Sequence, residues 1–158
     1  MLVYAANADS PFHRDCLSAV DRWRRSETAW FTSWGVLYEF MRVTTHPRVL
    51  TSPWTAERSW TFVRGLLAAP GFQLLVPTAR HAAVAEECLR DAPRLAGNVF
   101  HDVHLAVLMR EHGIRRVFTA DSDFRRFSWV EVEDPTRPVP RASERAARWR
   151  RGRSVARK

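Results

Sequence analysis

Short apolar runs of strand length alternate with longer segments of helical period along most of this chain, and that alternation constrains the fold more than any other feature. Residues 29–32, 72–76, 117–120 and 129–132 are compact runs rich in Trp, Phe, Val and Leu, and they read as strands. The run 72–76 is predicted to be buried on both faces. Between them lie predicted helices. Residues 11–26 follow the start signal Asp9-Ser10-Pro11 and space Phe12, Cys16, Leu17, Val20 and Trp23 by threes and fours. Residues 34–45 follow Ser33 as a cap and stop at His46-Pro47, because the residue before a proline is pushed out of the α region. A helix from Ser52 or Thr55 to about residue 69 carries Trp60, Val63, Leu66 and Leu67 on one face and closes at Pro70-Gly71. Residues 78–91 and 99–112 complete the set, the last ending at Gly113 in the place of a left-handed cap. Strands joined through helices demand crossover connections, which produce a parallel sheet covered on both faces. The expectation is a three-layer α/β/α domain with a parallel central sheet over residues 1–134.

Charge divides the chain differently. The net charge of +8 resembles a nucleic-acid footprint, yet residues 137–158 hold nine of the 25 basic residues against Glu144 alone. Residues 1–136 are formally neutral. The Pro-rich stretch 134–140 reads as a linker, and residues 135–158 as a disordered Pro/Arg-rich tail with too few apolar residues for a core. Its arginines either grip phosphates or simply follow a composition in which 24 of 25 basic residues are Arg. The opening run 1–6 is too short for a signal or a membrane span, which points to a cytoplasmic protein without membrane contact. Cys16 and Cys88 lack metal or redox spacing and read as buried thiols.

Four acids fall at the edge where open α/β sheets place their sites, the carboxyl ends of strands and the starts of the following helices. Asp121 and Asp123 leave the strand 117–120 at a spacing that lets both reach one centre. Asp102 opens the helix 99–112, and Glu39 sits among Trp34, Val36, Leu37, Phe40 and Met41. Each alone has an ordinary explanation, as dipole partner, turn former or solvated face. Together, without basic partners, they repel one another unless a cation neutralises them. Oxygen-only ligands suit Mg²⁺ or Mn²⁺.

The blocks V-L-Y-E-F-M-R-V-T-T-H-P-R at 36–48, G-N-V-F-H-D-V-H-L-A at 97–106 and T-A-D-S-D-F at 119–124 resemble PIN-domain ribonucleases of the VapC toxin kind. The resemblance spans about residues 1–134. It implies an endoribonuclease dependent on Mg²⁺ or Mn²⁺, a homodimer, with RNA as substrate and a cognate antitoxin as partner. By position it makes Glu39, Asp102 and Asp121 metal-site acids, Asp123 a supporting ligand, and Thr119 the residue that orients a carboxylate or the attacking water. Asn98 is either a site residue or a helix cap. The family's opening D-x-N-x-L-V-Y-A, aligned on Leu2-Val3-Tyr4-Ala5, puts its Asp four residues before Leu2. Either the start has been assigned late or the first strand is truncated and the site impaired, which leaves a PIN-fold protein that binds RNA or antitoxin without efficient cleavage as the alternative.

Other chemistries find less support. His101 and His104 stand three apart but lack a third nitrogen or sulfur ligand for zinc. Neither Ser33 nor Cys16 has a partnered His and acid, and no Gly-rich phosphate loop occurs. Trp23, Trp34 and Trp60 lie on apolar stripes and are expected in the core or a dimer contact.

Overall fold

In the computed structural model, which describes residues 1–92 and 95–136, strands β1 (Trp30–Ser33) and β2 (Phe72–Leu75) run parallel, in register from Trp30 opposite Phe72 to Ser33 opposite Leu75. Strands β3 (Arg116–Phe118) and β4 (Glu131–Glu133) form a second parallel pair. The helices α1 (Leu2–Ala6), α2 (His13–Arg25), α3 (Trp34–Thr44), α4 (Ala56–Leu67), α5 (His81–Asp91) and α6 (Val99–Glu111) surround them. Parallel strands joined through helices give the expected α/β class.

The local signals act largely as anticipated. The Ser33 hydroxyl accepts from the Val36 N–H at 3.4 Å, and Thr55 accepts from the Arg58 N–H at 3.1 Å, so each caps its helix. Gly113 takes φ of 69° after α6. Helix α2 starts later than expected, at His13, because the Ser10 hydroxyl takes the Phe12 N–H into a turn first.

The central sheet departs from expectation, since among the described residues the strands form two pairs rather than one continuous sheet. Residues 1–6, aligned above with a first strand, are helical instead. Their backbone bonds close locally, Ala5 N–H to Met1 O at 3.1 Å and Asn7 N–H to Val3 O at 2.9 Å, leaving none for a ladder. Ala5 and Ala6 pack into a cluster with Cys16, Val20, Leu37, Phe40, Val63 and Leu66. Strand β2, paired on one side, is not buried on both faces: Gln73 is exposed.

A second cluster gathers Val84, Cys88, Val103, Ala106, Val107, Phe124 and Phe127 around α5, α6 and the second strand pair. Leu75, Leu108 and Met109 join the halves, and Trp23 lies between Trp30 and Phe118 with ring centroids 6.0 and 5.0 Å away. Trp34 and Trp60 are exposed rather than core, because α3 and α4 turn Leu37, Phe40, Val63 and Leu66 inward instead. Cys16 and Cys88 are buried thiols. The Arg-rich tail lies outside the described residues.

Candidate metal centre

The chain leaves β3 at Phe118 and turns immediately into the site. The Thr119 N–H donates to Glu133 O at 3.0 Å, while its hydroxyl accepts the Asp121 N–H at 3.1 Å. Asp121 in turn accepts the Asp123 N–H at 2.8 Å and caps a 3₁₀ turn, Ser122–Arg126. Phe124 and Phe127, both buried, anchor that turn to the second core. Asp102 projects from the first turn of α6, whose Val103, Ala106 and Val107 face the same core. One carboxylate oxygen from each of Asp102, Asp121 and Asp123 lies within 4.8 Å of the others.

Electrostatics mark Asp102 as the most constrained of the three. Burial, followed by the charges of Asp121 and Asp123, pushes its carboxyl up to about 6, while Arg126 and His101 pull the other way. That is the response expected of acids crowded without full compensation. The three offer only hard oxygen donors close together, Asp102 and Asp123 half-buried and Asp121 exposed, a set that suits a hard divalent cation.

The acids are not, however, free of basic partners. Arg126 Nη2 meets Asp123 Oδ1 at 2.6 Å, and its Nε donates to the Asp123 carbonyl at 3.0 Å. Glu39 is exposed rather than buried among its apolar neighbours, and Arg42 grips both its oxygens at 2.6 and 2.7 Å. Those hydrogen bonds from Arg42 hold the Glu39 carboxyl below its ordinary range. Glu39 is consequently outside the three-acid group. A protonated His101 would favour the ionised form of both Glu39 and Asp102. Both i, i+3 pairs could have been read from the sequence as helix-surface ion pairs.

Thr119 holds the Asp121 backbone rather than a carboxylate oxygen. Asn98 makes no side-chain cap bond to α6. His104 does not join the acids; its ring packs edge-on against His81 at 5.6 Å. His81 Nδ1 in turn lies 2.6 Å from Glu111 Oε2, and the Glu111 side chain is shut off from solvent. The Thr78 N–H and hydroxyl donate to the other Glu111 oxygen at 3.0 and 2.6 Å. No pattern of period or motif pointed to this network.

The family model described as "PIN domain" matches residues 1–130, a span that includes all five candidate residues. The chain belongs to the VapC branch of the PIN-domain family. It is 33% identical over 144 residues to Ribonuclease VapC48 of Mycobacterium tuberculosis, covering 85% of this chain and 92% of that protein. Ribonuclease VapC37 of the same species is 33% identical over 135 residues, with the same shares covered. VapC ribonuclease Mb2897 of Mycobacterium bovis is 34% identical over 135 residues, covering 85% of this chain and 90% of that protein. Among solved structures, VapBC2 from Rickettsia felis bound to a DNA fragment from their promoter matches with a TM-score of 0.55. Its identity of 17%, over 83% of this chain and 90% of that one, speaks for the PIN fold alone. Within the described residues of this PIN domain, no helix is long and apolar enough to cross a membrane.

Proposed function

We propose that this chain is an endoribonuclease dependent on Mg²⁺ or Mn²⁺, the toxin component of a VapBC-type pair, hydrolysing RNA phosphodiester bonds. The gathering of Asp102, Asp121 and Asp123 within 4.8 Å carries the reading. The VapC relatives named as ribonucleases supply the substrate class, and the VapBC2 neighbour suggests the antitoxin partner. A homodimer is part of the proposal.

In this mechanism Asp102, Asp121 and Asp123 would hold the divalent ion, and Glu39 would join them only if its pair with Arg42 opened. When bound, such an ion supplies positive charge against the scissile phosphate and lowers the pKa of water. The protein's own part is positional. Thr119 fixes the Asp121 backbone, Asp121 fixes that of Asp123, and the two buried phenylalanines hold the turn, so that the acids are set before substrate arrives. Arg126, which pairs with Asp123, would be free to meet a phosphate if that pair opened.

A second reading follows from Glu39 being locked onto Arg42: a PIN-fold protein that binds RNA or antitoxin without efficient cleavage. One experiment separates the two. The full chain is incubated with single-stranded RNA and Mn²⁺ beside Asp102→Asn. Cleavage that falls by at least about a hundredfold in the variant supports the nuclease, since loss of a direct ligand should exceed outer-shell effects. RNA binding without cleavage by either protein supports the second reading, and cleavage unchanged by the substitution refutes the acidic-site mechanism.

A further inference from the structure

Three aromatic side chains that the core does not use lie on α3 and α6, the helices that carry Glu39 and Asp102. Trp34 and Tyr38, one turn apart on α3, are 38% and 63% exposed, with ring centroids 5.8 Å apart and planes inclined by 36°. Phe100, in the first turn of α6 two residues before Asp102, is 51% exposed. Helix α3 does not need these rings for anchorage, because Leu37, Phe40 and Thr44 are already buried.

Their placement ties them to the site. A Cβ built at Gly35 would stand 3.7 Å from His104 Nδ1, so the first turn of α3 meets α6 close to the turn that bears Asp102. Tyr38 immediately precedes Glu39. Arg42, paired with Glu39, lies one turn beyond Tyr38, and Arg125 and Arg126, both exposed, follow Asp123, with which Arg126 pairs. Exposed aromatic faces next to guanidinium groups are the combination that holds single-stranded nucleic acid, bases on rings and phosphates on cations.

We infer that Trp34 and Tyr38 form a stacking platform for unpaired nucleobases of an RNA strand whose phosphates lie along Arg42 and Arg126. The inference rests on the ribonuclease reading and names how the substrate is held. A duplex does not fit the platform, because base faces inside an A-form helix are covered. A second copy of the chain is the poorer occupant: two rings broken by the Glu39–Arg42 pair fall short of the roughly 800 Å² per partner that a stable interface needs.

The test measures binding of the full chain, in Ca²⁺, to a labelled single-stranded oligoribonucleotide, the same strand with abasic positions, and a duplex of equal length. The variants are Trp34→Leu, Tyr38→Leu and Tyr38→Phe. Each Leu variant is expected to bind the single strand about tenfold more weakly, with an unchanged melting temperature, while Tyr38→Phe keeps its affinity. The abasic strand should bind the wild type as weakly as the parent strand binds the Leu variants. Equal affinity for abasic and parent strands, or Leu variants that bind like the wild type, overturns the platform. A loss of affinity accompanied by a shift from dimer to monomer in sedimentation assigns the rings to a second copy and also overturns it. Wild-type cleavage with an unchanged KM in the Leu variants removes the platform but leaves the nuclease. A wild type that neither binds nor cleaves RNA removes both.

Discussion

Asp102 carries the electrostatic cost of the site, which makes it the residue whose titration should be visible in stability. Its folded pKa of about 6 exceeds the ordinary 3.8, so the folded state holds the proton more tightly than the unfolded chain. Metal-free protein therefore loses stability as pH rises from about 4 to about 6, and the deficit persists above that. Asp102→Asn removes the charge, and in metal-free buffer it should exceed the wild type by roughly 1 kcal/mol at pH 7 and match it near pH 4, after discounting for partial exposure. Urea denaturation at the two pH values checks this; a difference independent of pH would mean that the carboxylate is not strained. The positions of Asp102, Asp121 and Asp123 were legible from strand exits and a helix start. The Glu39–Arg42 pair was legible too, as an i, i+3 contact on one helix, but not that Glu39 would stand outside the group the other three acids form.

Two elements depend on contacts that no local pattern announces. Glu111, at the end of α6, binds Thr78 and His81 at the start of α5 and so clamps the two helices together. Burial opposes its charge, but the hydrogen bonds from Thr78 and His81 outweigh burial and hold the carboxyl down to about 2. A depressed acid contributes stability above its unfolded pKa, ordinarily 4.5, and loses that contribution as pH falls toward 2. Glu111→Gln should cost about 1–3 kcal/mol at pH 7 and flatten the acid limb of the stability profile, read by urea titration between pH 2 and 7. Gly71 is the other such point. A Cβ there would lie 2.2 Å from the Thr28 carbonyl oxygen and 2.8 Å from that of Ser26, both backbone atoms, at the place where the Trp30 N–H donates to Gly71 O. Gly71→Ala is expected to lower stability by about 1–3 kcal/mol through forced separation of β1 and β2, measured by thermal denaturation. Pro70-Gly71 could be read as a helix stop; the close approach of two backbones could not.

The whole molecule holds two hydrophobic clusters, one around α1 to α4 and one around α5, α6 and the second strand pair. The three acids sit on the second, while Glu39 lies on α3, whose Leu37 and Phe40 belong to the first. An ion bound by Asp102, Asp121 and Asp123 would tie the start of α6 to the β3 exit and stabilise the folded state by mass action. At a hundredfold excess over its Kd, Mn²⁺ should add about 2.7 kcal/mol, and EDTA should remove that gain. Melting curves with and without Mn²⁺ are expected to separate for the wild type at pH 7 and to coincide for Asp121→Asn. Equal shifts in both proteins would place the ion elsewhere.

Read alone, the sequence determined the α/β class, nearly every helix and strand, the caps Ser33 and Gly113, and the element ends at which Asp102, Asp121 and Asp123 stand. These follow from periodicity, capping chemistry and position at element ends, all short-range properties of the chain. Tertiary structure alone decided that residues 1–6 coil into a helix and leave two strand pairs, that Trp34 and Tyr38 face outward, and that Glu111 is shut in against Thr78 and His81. The apolar pattern states which residues want burial but not which surface will cover them, and a carboxylate takes the partner that packing brings within reach. The site is therefore written in the sequence as positions, while its electrostatic state belongs to the fold.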